Sequence, residues 1–223
     1  MDLVDLFFWT HSGYHAGDVS GDDSSVTDQV FGGLSDAQMR ARPVKGVNSL
    51  VWLLWHMART EDVAVNLVIT AGAQVLDDAW ARRMNVEYRS HGSGMTDDEV
   101  DDLTARANVD GVRAYRSAVG RRTRDVARAF RPEAWDEIIG LEDLARAAVT
   151  GAFHIRDDYA GYRPEPNERV EDTVKWLASQ GRKFPWQGSS RWQRLSGSAS
   201  GHSILHHGEA ITIRGLGGFG VGL

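Results

Sequence analysis

The sequence predicts an all-α protein, an up-and-down helical bundle with an inserted helical and loop segment between its third and last bundle helices. Three observations carry this reading. Apolar residues recur three and four apart along most of the chain. Capping residues stand ahead of the apolar stretches, twice with Glu or Gln three residues further on. Alternating runs of the kind strands need are missing, as is any repeat at solenoid spacing.

The first helix is expected from about Asp2 to Ala16, where Leu3, Leu6, Phe7 and Tyr14 keep helical spacing. Ser35-Asp36-Ala37-Gln38 is a capping box that opens a short helix stopping before Pro43. Ser49 is the N-cap of a second long helix reaching to about Gly72. Its opening, Leu50 to Ala58, is apolar on every side, which marks a helix buried nearly all round. Thr96-Asp97-Asp98-Glu99 caps a third long helix running to about Phe130 and stopped by Pro132. Glu133 to Thr150 reads as helical, Arg163-Pro164-Glu165-Pro166 breaks the chain, and Glu168 to Ser179 is a further amphipathic candidate. The last helix is expected to start in Ser198-Ala199-Ser200-Gly201 and run through Ile213, with Gly215, Gly217 and Gly218 ending it. The chain therefore reads as one domain over 1–223, with an elaboration at about 134–195.

Composition narrows the function. With 42% hydrophobic and 25% charged residues the chain is globular in character, and the longest apolar stretch, Leu50 to Trp55, is far too short to span a bilayer. The acidic start, Met1-Asp2-Leu3-Val4-Asp5, lacks the basic head of a secretory signal, so a cytoplasmic location is expected. A net charge of −6 argues against nucleic-acid binding. The seven arginines between Arg113 and Arg131 are spread round a helix and read as a solvated face. With no cysteine, any metal must sit on imidazole and oxygen, and any thiol chemistry must use a thiol from outside.

The histidines carry the chemistry. His202 and His206 are four apart, so a helix places both rings on one face, one turn from each other. Residue 203 is Ser, not the Glu a zinc protease of the H-E-x-x-H type needs. His56 lies between Trp55 and Met57 in the most apolar part of the second long helix, where a buried ring needs a partner, either a hydrogen bond or a metal. Two ligands from one helix and one from another is a usual way to build a metal site in a bundle core. With His202 in the first turn of its helix, the dipole would favour the neutral, metal-binding ring. His11 and His15 form a second pair at the same spacing, read as a rival site or a solvated face. His91 and His154 read as surface residues, and His207 as a core residue or one supporting the ligands.

The segments Asn48 to Asp62 and His206 to Gly217 resemble the second and final helices of the DinB-like superfamily. The order of these segments, the short capped helix before the first and the spacing of His202 to His206 match as well. The resemblance covers roughly residues 1–130 and 196–218. It implies a four-helix bundle holding one divalent metal on His56, His202 and His206. That superfamily contains enzymes that use a low-molecular-weight thiol such as mycothiol or bacillithiol, maleylpyruvate isomerase and thiol S-transferases among them, and others that look like hydrolases.

Three functions are therefore open. In the first, the ion binds an external thiol, makes it a thiolate and directs it onto an electrophilic small-molecule substrate, as an S-transferase or isomerase. In the second, the ion activates water for hydrolysis and a carboxylate, Glu209 or Glu61, accepts the proton. In the third, the metal serves a non-catalytic binding or oligomerising module, a homodimer being one form. Three imidazoles suit zinc first, with nickel, iron or cobalt as alternatives. Trp52, Trp55, Trp186 and Trp192 are read as core or interface, the other reading being a substrate wall.

Overall fold

The computed structural model describes residues 2–21, 25–148, 150–153 and 186–220, together with 172, 175, 179 and 181. Helix α1, Leu3–Tyr14, starts in a capping box in which the Asp2 side chain accepts from the Asp5 N–H. Short helices α2 (Gly17–Ser20), α3 (Val26–Phe31) and α4 (Asp36–Arg40) follow, the last opened by the Ser35–Gln38 box the sequence predicts. Helix α5, Leu50–Asp62, is capped by Ser49, whose Oγ accepts from the Trp52 N–H. All thirteen of its residues are buried, as its all-round apolar opening requires. It continues without a break through a π-helical stretch, Val63–Ile69, and ends there with Thr70 as its C-cap, three residues short of the expected Gly72.

Helix α6 (Asp78–Met84) leads to α7 (Asp97–Arg106) and α8 (Val109–Ala129). The single helix predicted from Thr96 to Phe130 is thus two. The break falls at Ala107 and Asn108, where Asn108 leaves the helical region and its side chain caps α8 by accepting from the Gly111 N–H. The helix expected over Glu133 to Thr150 is likewise a 3₁₀ turn, Pro132–Asp136, and a separate α9, Leu141–Ala148. The candidate helix at Glu168 to Ser179 lies almost wholly outside the described residues.

The chain closes with α10 (Arg191–Ser196), a π-helical stretch (Gly197–Gly201) and α11 (His202–Leu216), which form one continuous helix. Its start is a capping box of Ser190 and Gln193, eight residues before the expected beginning at Ser198. The longest helices, α1, α5, α8 and α11, build an all-helical bundle with α5 at its centre. One core gathers α5 residues such as Leu53 and Met57 with Leu103, Val112, Val119 and Ile213. A second surrounds Val63–Ile69 and takes in Phe7, Val126, Trp135, Leu144 and Leu195, so part of the segment after α8 shares the bundle's core. Among the described residues no helix is long and apolar enough to cross a membrane.

Candidate metal centre

The bundle brings His56 on α5 and His202 and His206 on α11 to one point. His202 Nε2 lies 3.1 Å from His56 Nε2 and 3.1 Å from His206 Nε2. His56 is buried, and the other two rings are half-buried, which leaves the cluster a face toward solvent. Each of two rings is held from behind. His56 Nδ1 donates to the His91 carbonyl, and His206 Nδ1 donates to Glu209 Oε2 at 2.8 Å. Those outer bonds fix the protons on Nδ1, so the Nε2 atoms of His56 and His206 both present lone pairs. His202 Nε2 has one proton at most and can satisfy only one of them.

Three converging imidazole nitrogens thus form a donor set short of an acid. A tetrahedral ion with metal–nitrogen bonds of about 2.05 Å would hold its ligand nitrogens about 3.3 Å apart, close to what the rings show. The residues fit a divalent metal in both chemistry and spacing.

The surroundings keep His56 and His202 neutral. Burial lowers His202 to about 3, and His206, His91, Arg116 and Arg194 add repulsion. Burial also holds His56 well below its usual value, with His202 and His206 adding to it. The expected dipole argument does not apply, because His202 sits inside a continuous helix and not in a first turn.

The site's supports come from several loops. The Trp52 ring stacks on His56 at 4.6 Å and 17°. Gly92, at φ +91°, lets the chain carrying the His91 carbonyl pass under α5; a Cβ there would meet the Trp55 ring at 2.6 Å. Glu209, the candidate proton acceptor, stands behind His206 and takes a second hydrogen bond from Asn48 Nδ2 at 2.8 Å. Burial alone would raise its carboxyl, but the bonds from His206 and Asn48 outweigh it and hold it below the usual value.

Glu61 is elsewhere. It lies with His11 and His15, fully buried, with His11 Nε2 3.3 Å and His15 Nε2 3.6 Å from its oxygens. This pair is therefore no solvated face. The three residues are close enough to share an ion, but His15 Nδ1 accepts the Ala16 N–H at 2.9 Å, which leaves the proton on Nε2, facing Glu61. With its proton there His15 cannot ligate through Nε2, although that atom, His11 Nδ1 and Glu61 Oε2 are buried without a hydrogen-bond partner. His207 is buried, bonding the Ser203 carbonyl through Nδ1 and Thr27 Oγ1 through Nε2 at 2.8 Å. His91 is no plain surface residue: its carbonyl supports His56 and its ring stacks with Trp186 at 6.1 Å. His154 lies outside the described residues. Trp55 is core; Trp186 and Trp192 are half-buried. Asn48 and the His91 carbonyl carry no sequence signal of their role; only the fold brings them to the rings.

The crystal structure of a conserved protein from Enterococcus faecalis shares this fold, with a TM-score of 0.61 over 97% of this chain and 97% of that one at 15% identity. The family model described as the DinB superfamily matches residues 23–160, more than half of the chain. That span holds His56 and ends before His202 and His206. No curated protein matches the chain.

Proposed function

The chain belongs to the DinB superfamily, and from that premise we propose that it is a metal-dependent enzyme using an external low-molecular-weight thiol, as an S-transferase or isomerase. The ligands are His56, His202 and His206 on one divalent ion, zinc first. The observation that carries the metal is the meeting of three Nε2 atoms, two of them with tautomers fixed by bonds behind them. Bound there, the ion supplies a Lewis-acidic centre that favours the thiolate form of a thiol reaching it.

The chain's own residues do the rest. Trp52 and the His91 carbonyl orient His56, and Glu209 with Asn48 orients His206. The partly exposed side of His202 and His206 is where a small molecule would approach. The absence of cysteine leaves the nucleophile to come with that molecule. Hydrolysis fits less well, because both carboxylates considered for it are engaged: Glu209 by His206 and Asn48, Glu61 by His11 and His15. We read residues 1–223 as one domain, with an elaboration at about 134–195.

The test begins with elemental analysis of protein made without a histidine tag or added metal. About one divalent ion per chain is expected, lost in His56→Ala, His202→Ala and His206→Ala. A stoichiometry that survives all three substitutions ends the assignment. Calorimetric titration of the metal-loaded protein with small thiols then separates the readings; if none binds, the thiol proposal is wrong and the metal site stands.

A further inference from the structure

Among the described residues Arg194 has no anionic partner. It sits on α10, and its Nε is buried with no hydrogen-bond partner. Among the described residues no carboxylate lies within 4.0 Å of its guanidinium. Its charge is opposed by burial alone, which lowers it to about 10. Leaving a charge partly desolvated and unpaired is unfavourable, and proteins do so where a ligand completes the pair.

Its position is built. The guanidinium lies 4.6 Å over the Trp186 ring. Trp186 holds φ +71°, a left-handed conformation that bulky residues rarely adopt. Its carbonyl is pinned by the Ser189 hydroxyl at 2.7 Å. Gly197 makes room: a Cβ there would come within 2.8 Å of Arg194 Nη2. The same continuous helix carries His202 eight residues beyond Arg194. Trp186 stacks in turn on His91, whose ring is 6.1 Å from that of His56. Arg194, Trp186 and His91 form a continuous wall leading to the three histidines. Stacking occupies the face of the guanidinium and leaves Nη1 and Nη2, which unlike Nε are not closed off, for a planar, two-oxygen acceptor.

We infer that Arg194, seated on Trp186, binds a carboxylate of the small molecule that reacts beside His56, His202 and His206. The inference rests on the proposed reading for what happens at the histidines, but not for the anion contact itself. The ligand class is a small carboxylate whose reacting group lies at its other end, with a body that lies along Trp186 and His91.

The test uses the metal-loaded protein, Arg194→Gln and Arg194→Lys, each first shown to keep its metal stoichiometry. Calorimetry compares short to medium ω-mercaptocarboxylates with their methyl esters, and benzoate with benzamide. The wild type is expected to prefer the acid of a matched pair by about tenfold. Arg194→Gln loses that preference while its affinity for the esters is unchanged, and Arg194→Lys, which keeps charge but not the fork, falls between. Melting temperature serves as the structural readout: Arg194→Gln loses the stacking on Trp186 but no ion pair, so a shift of at most about 4 °C is expected. If no thiol binds but benzoate is still preferred through Arg194, the thiol reading fails and this inference holds. Equal binding of acid and ester, or a preference that survives Arg194→Gln, overturns it.

Discussion

Glu209 shows what a single carboxylate does in this bundle. It faces away from the converging nitrogens and fixes the proton of His206 on Nδ1. Glu209→Gln keeps the shape but weakens that bond. We expect metal affinity to fall about 10- to 100-fold with the fold intact, measured by competition with a chelating dye. A variant that binds metal normally and loses only hydrolysis would make Glu209 a proton acceptor instead. His15 tests the second cluster. It is fully buried beside His11, Glu61 and Arg116, with Arg124 and His207 acting on it too. Burial first, then Arg116, lowers its basicity well below the ordinary value. The unfolded chain therefore takes up this proton near pH 6.5 while the native state does not. Its contribution to stability is full above that pH and is lost as pH falls below it. Urea unfolding from about pH 7.5 down to about pH 5 should show a shallower loss in His15→Gln than in wild type, by up to about 1.4 kcal/mol per pH unit. Identical slopes would mean the ring is charged in the native protein.

At the scale of elements, the sequence is readable where local chemistry decides and silent where packing does. The Ser35, Ser49 and Thr96 caps are visible because each bond spans three residues. The break at Asn108 was hidden, since Asn inside a helical pattern gives no notice that its side chain will turn to cap the next segment. The burial of α1 departs from its apolar periodicity for a different reason. Leu3 and Leu6 are 50% and 38% exposed while His11 and His15 are buried, because Glu61 waits on α5 to receive them. Periodicity identifies a stripe but not the neighbour that will cover it. The arginines of α8 teach the same lesson: Arg116 is buried, not solvated. His56, His202 and His206 were legible because an apolar helix opening and a four-residue spacing constrain them locally, whereas Arg194 and Asn48 acquire meaning only after folding. Ser49 also bonds Thr104 Oγ1 at 2.7 Å, tying α5 to α7. Ser49→Ala removes the cap and leaves that hydroxyl buried and unpaired, a combined loss of about 2 kcal/mol. A melting temperature roughly 4–8 °C lower is expected, with metal content unchanged; no shift would show that core packing alone sets the start of α5.

For the whole molecule the consequence is that an ion at this site would tie together residues 146 positions apart, His56 and His202. Helix α11 is the end of the bundle, and its approach to α5 brings lone pairs face to face unless something positive lies between them. Whatever binds the native arrangement and not the unfolded chain adds to stability by mass action, about 2.7 kcal/mol when free metal is a hundredfold above its dissociation constant. In a chain of this length each kcal/mol moves the melting temperature by about 2–4 °C, so verified metal removal should lower it by roughly 5–11 °C. Readdition of zinc should restore it. His202→Ala, which lacks one of the converging rings, should start near the metal-free value and ignore the chelator. The control matters because a chelator that destabilised both proteins equally would be acting on something other than this site. If wild type melts at one temperature with and without its ion, α5 and α11 are held by their apolar contacts alone and the three rings do not share a cation.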